Sequence, residues 1–216
     1  MDLFDRSWSA LLAAVASLAD ADFARPSGCA GWLVRDLVCH LVIDAQDVLI
    51  TLVTPADTEP TRDAITYWEV GSTPPAGDDA LDALTVRLAA AYQEPRLLKF
   101  HLDDVGSAAG RAARLADPAL HVSTKGEVLT AGDYLSAYVL EWTLHHLDLV
   151  AHLRDVPGPP AAGPARELLE KITGVAFPAS FSNEDALLVG TGRRAPTAGE
   201  RAALGEPAAR LPFVLT

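Results

Sequence analysis

Three of the six histidines, His145, His146 and His152, lie within eight residues of one another. On an α-helix, where each residue turns by about 100°, Glu141 and His145 share a face, Asp148 and His152 continue the stripe, and His146 points elsewhere. A carboxylate and an imidazole four residues apart on a buried face can both reach one divalent ion. Burying them unpaired would cost several kcal/mol. A matching group comes from a distant segment. His40 sits among Leu37, Leu41 and Val42, with Asp36 and Asp44 one turn before and after it. His40, Glu141 and His145 together would offer two nitrogens and one oxygen with a coordination position open, the arrangement of catalytic rather than structural zinc.

Glu-x3-His also arises by chance, so core histidines or a solvent-facing polar stripe remain the alternative. Asp148 reads either as a group behind a ligand or as a structural hydrogen-bond acceptor. Asp44 reads as a solvated helix-face carboxylate, with a fourth ligand as the alternative. His152 reads as a helix-end residue favoured by the dipole, and His101 and His121 as residues in or beside loops. Cys39 is turned away from His40 and reads as a small buried hydrophobe. Trp32 and Trp142 read as core anchors. No Gly-x-Ser-x-Gly turn supports a serine triad, and Gly190-Thr191-Gly192 is too short to cradle phosphate.

Helical apolar spacing predicts the elements that must position these groups. A first helix covers Leu3 to Leu18, and a second starts after Gly31-Trp32 and runs to about Val53, stopped by Pro55. A third covers 80–102, bent near Pro95. The fourth runs from Ala131 to Arg154, with Thr130 and Asp133 as a capping pair and the Pro157–Pro160 stretch ending it. Residues 54–79 and 103–130 read as long connections, the latter with a short helix at 110–115. Beyond them come a helix near 164–173, a strand at Ala186–Val189 and a short helix near 197–204. The expected fold is all-α: a four-helix bundle with long crossover connections over residues 1–160, and a small C-terminal extension, 161–216, packed on it.

The composition narrows the function. Half of the 216 residues are hydrophobic, enough for a sizeable core, and the formal charge is −12. An acidic chain repels phosphate backbones and anionic lipid, so neither nucleic acid nor a membrane is expected as a partner. No stretch reads as a membrane span. Asp2 and Asp5 stand where a secretion signal wants positive charge, and Cys29 and Cys39 make no disulfide framework. A cytoplasmic location is expected.

The segment from Cys29 through Trp32 and Asp36 to His40 and Leu41 resembles the first motif of the mycothiol-dependent maleylpyruvate isomerase N-terminal family, within the DinB-like superfamily. Glu141-Trp-Thr-Leu-His145-His-Leu-Asp148-Leu resembles its second motif, and the tail from Ala186 to Arg194, with the Thr-x-x-Glu-Arg segment that follows, resembles tails in that family. The resemblance implies a DinB-like four-helix bundle carrying a divalent ion on His40, Glu141 and His145, with Asp148 at a frequent family position. Two imidazoles and a carboxylate suit Zn, Ni and Fe alike, with zinc the first choice. The resemblance also implies mycothiol or another low-molecular-weight thiol as cosubstrate of a metal-dependent S-transferase or isomerase-like enzyme acting on a small electrophile. A non-catalytic metal-binding module is the alternative, and a homodimer is left open. Arg35, Arg193 and Arg194 read as surface arginines, or as steering groups for an anionic ligand. The chain departs from the family at Leu33, where a hydroxyl usually caps the helix; Asp36 is expected to accept from the first-turn amides instead. The full isomerase has a further α/β domain that residues after Pro160 are too few to form, so maleylpyruvate isomerisation itself is not expected.

Overall fold

The computed structural model describes residues 2–77 and 79–216. It is all-α in character, with eight α-helices and two short two-stranded ribbons among the described residues. Four helices make the bundle: α1 (Asp2–Ser17), α2 (Val34–Leu52), α4 (Pro95–Leu115) and α5 (Ala131–Val150). Each of α1 and α2 packs against both α4 and α5, and α3 (Ala80–Ala91) lies on α2. Among the described residues no helix is long and apolar enough to cross a membrane.

The core of the bundle is aromatic where α1, α4 and α5 meet. The rings of Trp8 and Trp142 stack with centroids 3.8 Å apart, Phe4 leans on Trp142, and all three side chains are buried. Trp8 Nε1 donates to the Gly106 carbonyl at 2.7 Å, so the indole satisfies its polar edge inside the core. α5 is apolar on two sides. Trp142, Leu135 and Val139 face the bundle, whereas Leu140, Leu144 and Leu147 join a second cluster with Leu169 of α6 (Ala162–Thr173) and Leu187 of α7 (Asn183–Gly190). Covered on both sides, α5 carries its polar groups into the interior.

The caps follow the sequence closely. Thr130 accepts from the Asp133 amide and donates to its carboxylate, starting α5. At the α2 start Leu33 has no oxygen to offer, and Asp36 reaches back to the Leu33 amide at 2.8 Å. Three expectations are corrected. Pro95 does not bend a helix at 80–102. It stands at the first position of a new one, where its missing N–H costs nothing. That helix continues to Leu115, and residues 121–130 then form a hairpin, β2 (His121–Thr124) with β3 (Glu127–Thr130), turned by Lys125 and Gly126 at positive φ. The strand expected at Ala186–Val189 is helix α7, begun by Ser182, which accepts from the Asp185 amide. A final helix, α8 (Ala198–Leu204), precedes a second ribbon in which β1 (Val70–Gly71) pairs with β4 (Val214–Leu215).

The α1–α4 contact gives a matched pair of tests. A Cβ at Gly106 would sit 2.6 Å from Trp8 Cζ2, whereas one at Gly110 meets nothing closer than 3.6 Å. Gly106→Ala is expected to destabilise by about 1–2 kcal/mol, since overpacking exceeds the gain in helix propensity. Gly110→Ala is expected to stabilise by up to about 1 kcal/mol. Urea denaturation of the two variants checks both signs.

Candidate metal centre

α2 and α5 each present two groups one turn apart, and the two pairs meet. His40 Nε2 lies 3.1 Å from His145 Nε2 and 3.5 Å from Asp44 Oδ2, and Glu141 Oε1 lies 3.1 Å from His145 Nε2 and 4.0 Å from His40 Nε2. All four donor atoms fall within 4.8 Å of one another. Bonds of 2.0–2.2 Å in a tetrahedral zinc site separate ligand atoms by roughly 3.3–3.6 Å, within the range seen here. The residues present also fit a cation on chemical grounds. Asp44 is 6% exposed, and its Oδ2 is buried without a hydrogen-bond partner. Two imidazole nitrogens facing each other at 3.1 Å beside two carboxylates form a donor set suited to a divalent ion. His40, Asp44 and Glu141 line a cavity of about 640 Å³ that Tyr67 and Tyr138 also border, so the group has an open side.

Behind His145 stands a second layer. His145 Nδ1 donates to Asp148 Oδ2 at 3.2 Å, and since a carboxylate only accepts, Nε2 is the nitrogen left to coordinate. Asp148, 2% exposed, takes both arms of Arg193, Nε to Oδ1 at 2.8 Å and Nη2 to Oδ2 at 2.9 Å. Cys29 Sγ donates to Asp148 Oδ2 at 3.3 Å and lies 3.8 Å from His145 Nδ1. The Gly28 amide donates to the Asp148 carbonyl at 2.8 Å; a Cβ at Gly28 would meet Asp148 Oδ1 at 2.7 Å. Gly28 is therefore the residue that lets the loop lie on α5.

The electrostatics follow from burial and from these partners. Burial alone would raise the Asp148 carboxyl, but the Arg193 charge and the His145 hydrogen bond hold it below the ordinary carboxylate range. Burial alone would lower His145, yet the Glu141 charge and bonds to Asp148, Cys29 and Glu141 raise it well above the usual imidazole value. Burial works to raise Glu141, but His145 and His40 hold it well below its ordinary range. Asp44 is pushed up by burial, with Glu141 adding to the effect and His40 opposing it.

The structure thus brings together His40, Glu141 and His145 and sets Asp148 behind them. Asp44 is not a solvated carboxylate: it is buried beside His40, because α2 turns that face toward α5. Arg193 is not a surface arginine but the partner of Asp148, whereas Arg194 ties Asp185 to Glu200 and Arg35 is half-buried beside Asp36. His152 is exposed beyond the end of α5, and its carbonyl accepts from Arg25. His146 bonds the Pro157 carbonyl on another side of the helix. His101 belongs to helix α4, against Tyr92, and His121 to strand β2, against the Thr58 carbonyl. Trp142 is a core anchor; Trp32 is buried too, with its ring 5.2 Å from the His40 ring. Sequence reasoning missed Cys29, although it opens the motif that carries His40.

In the metal-free protein these shifts give stability two limbs. The Asp148 contribution is present above the ordinary value of 3.8 and is lost as pH falls through the depressed folded value. The His145 contribution is present below 6.5 and is lost as pH rises through the elevated folded value. Asp148→Asn is expected to flatten the acid limb and to cost about 3–5 kcal/mol near neutrality, because Arg193 loses its buried partner. His145→Gln is expected to flatten the alkaline limb. Denaturation midpoints across pH check both.

Among known proteins, the model of the mycothiol maleylpyruvate isomerase N-terminal domain matches residues 4–150. No curated protein matches the chain. Two solved structures are similar, the mycothiol-dependent maleylpyruvate isomerase and a histidine-to-alanine mutant of it. Each is 18% identical with a TM-score of 0.54, over 78% of this chain and 65% of that one. At this identity the likeness is one of fold, and this chain spans about two thirds of the isomerase. The family match takes in both motifs of the site, and the chain belongs to the mycothiol maleylpyruvate isomerase N-terminal domain family.

Proposed function

We propose that this chain is a divalent-metal-dependent transferase that joins a low-molecular-weight thiol of the mycothiol type to a small electrophile. The observation that carries the reading is the convergence of His40, Asp44, Glu141 and His145, with a buried Asp44 oxygen that accepts no hydrogen bond and with the first three residues lining a 640 Å³ cavity. A divalent ion held there supplies charge that lowers the pKa of a coordinated thiol, making it a nucleophile at neutral pH. Zinc, nickel and iron all suit this donor set.

The chain's own residues do the rest. Arg193, Asp148 and Cys29 fix the His145 ring from behind, so that its Nε2 faces the other donors. Tyr67 is pushed up to about 12 by burial and by Glu141 and Asp44. Tyr138 is raised further, by burial and then by Asp44. Both phenols stay protonated and offer O–H donors to polar groups of a thiol in the cavity. A closed site with four protein donors would instead suit a metal-holding module without turnover, and Asp44 favours that second reading. The cavity beside His40 and Glu141 favours the first.

Purified protein is expected to carry about one equivalent of Zn, Ni or Fe by elemental analysis. His40→Ala and Glu141→Gln are each expected to weaken the metal by about 100-fold or more, and Asp44→Asn by about 10–100-fold. Thiol consumption with a panel of epoxides, quinones and activated alkenes should vanish with chelator and return with metal. A protein that binds no metal sinks both readings; one that binds metal and consumes no thiol supports the non-catalytic module.

A further inference from the structure

The large cavity carries more carboxylate than a divalent ion can balance. Along α2, His40, Asp44 and Asp47 follow one another at steps of four and three residues, which sets them on one face of the helix. All three border the cavity. Asp47 is half-buried, and among the described residues it makes no hydrogen bond and no ion pair. Burial comes first in raising Asp44 and Tyr67, and the Asp47 charge adds to both, so it is felt inside the cavity. We propose that Asp47 sets the specificity of this cavity: it selects a thiol carrying a cation or hydroxyl groups near its sulfur and rejects one carrying an anion there.

The remaining charges offer an anion no partner. A divalent ion offsets Asp44 and Glu141. Arg62 is tied to Glu127 at 3.2 Å and donates to the Thr66 carbonyl at 3.1 Å. Lys125 and Glu69 also border the cavity, but both are exposed, opposite in sign and screened by solvent. Asp47 is the charge left over on the inner wall. The phenols of Tyr67 and Tyr138 can donate or accept, so they favour neither sign. A thiol that fills the cavity takes water away from Asp47. An ammonium or hydroxyl group compensates for that water, whereas an anion leaves the carboxylate both dehydrated and repelled. The metal-bound thiolate already brings one negative charge, which makes a further one costlier.

The assignment rests on the thiol-transfer reading, so the test measures sulfur coordination apart from turnover. Co(II)-loaded protein is titrated anaerobically with thiocholine, mercaptoethanol and mercaptoethanesulfonate. These share a short thiol arm and end in a cation, a hydroxyl and an anion. The cobalt–thiolate bond is read from its charge-transfer absorption. The three differ in thiol acidity, and comparing each with itself in wild type and Asp47→Asn removes that difference. Asp47→Asn keeps the shape of the side chain and breaks no ion pair, so its cobalt content is expected to match the wild type. In this variant thiocholine should bind more weakly and mercaptoethanesulfonate more tightly, each by about threefold or more. Their affinity ratio should fall by about tenfold, with mercaptoethanol moving least. Glu69→Gln, at an exposed position, should change the ratio by less than about threefold. The assignment is overturned if Asp47→Asn loses its cobalt or leaves the ratio unchanged. It is overturned as well if all three thiols shift together, or if Glu69→Gln moves the ratio as far. A cobalt–thiolate band with none of the thiols overturns both the assignment and the thiol-transfer reading. The expected change of ratio in a protein that consumes no thiol leaves Asp47 assigned and removes the transferase.

Discussion

A carboxylate taken out of water must find compensation inside the protein, and Asp148 is where this chain meets that requirement. Arg193 supplies the charge, while His145 and Cys29 take up the remaining lone pairs. These partners come from an N-terminal loop, from one turn earlier on α5, and from the turn after α7. One buried anion thereby holds three stretches of chain in register. It also fixes which nitrogen of His145 faces the other donors, so the geometry of the site depends on residues that never touch it.

The scaffold makes such a demand bearable. α5 is sheathed by Trp8 and Phe4 of α1, packed on its own Trp142, on one side and by Leu169 and Leu187 on the other. A helix packed on two sides cannot rotate to release its polar residues to solvent. Glu141, His145 and Asp148 must therefore be satisfied where they stand, by α2 across the bundle and by the C-terminal turn. Donor groups borne on two rigid helices keep their separations better than groups on loops would. A smaller cavity beside His145 draws part of its wall from the loop at 74–77, where variation leaves the helices undisturbed.

Much of this was legible in the sequence, for reasons that vary by element. The periods of α1, α2 and α5 are strong because one side of each is apolar over several turns; the spacing puts Glu141 and His145 on one face, and reading them as ligands also needed His40 and the family motifs. Asp44 was not legible. Its helix position places it beside His40, but whether that face meets water depends on α5, which lies far along the chain. Pro95 reads equally as a kink or as a start, and the neighbours of α3 and α4 decide. Ala186–Val189 is too short for a period to show, and the Ser182 cap settles it as helix. The Lys125-Gly126 hairpin carried a turn signal in its two-residue spacing, hidden because its strands are only four residues each. Arg193 gave no local sign at all, since a buried arginine and a surface one look alike until the partner is known.

The β1–β4 ribbon has a kinetic meaning. It joins Val70 and Gly71 to residues 214–215, and Leu215 forms part of the wall between the two cavities. Contacts so distant in sequence close a large loop and carry the greatest entropic cost, so they form after the more local helix pairings. The ribbon is thus expected to close after the more local helix pairings that carry His40 and Asp44.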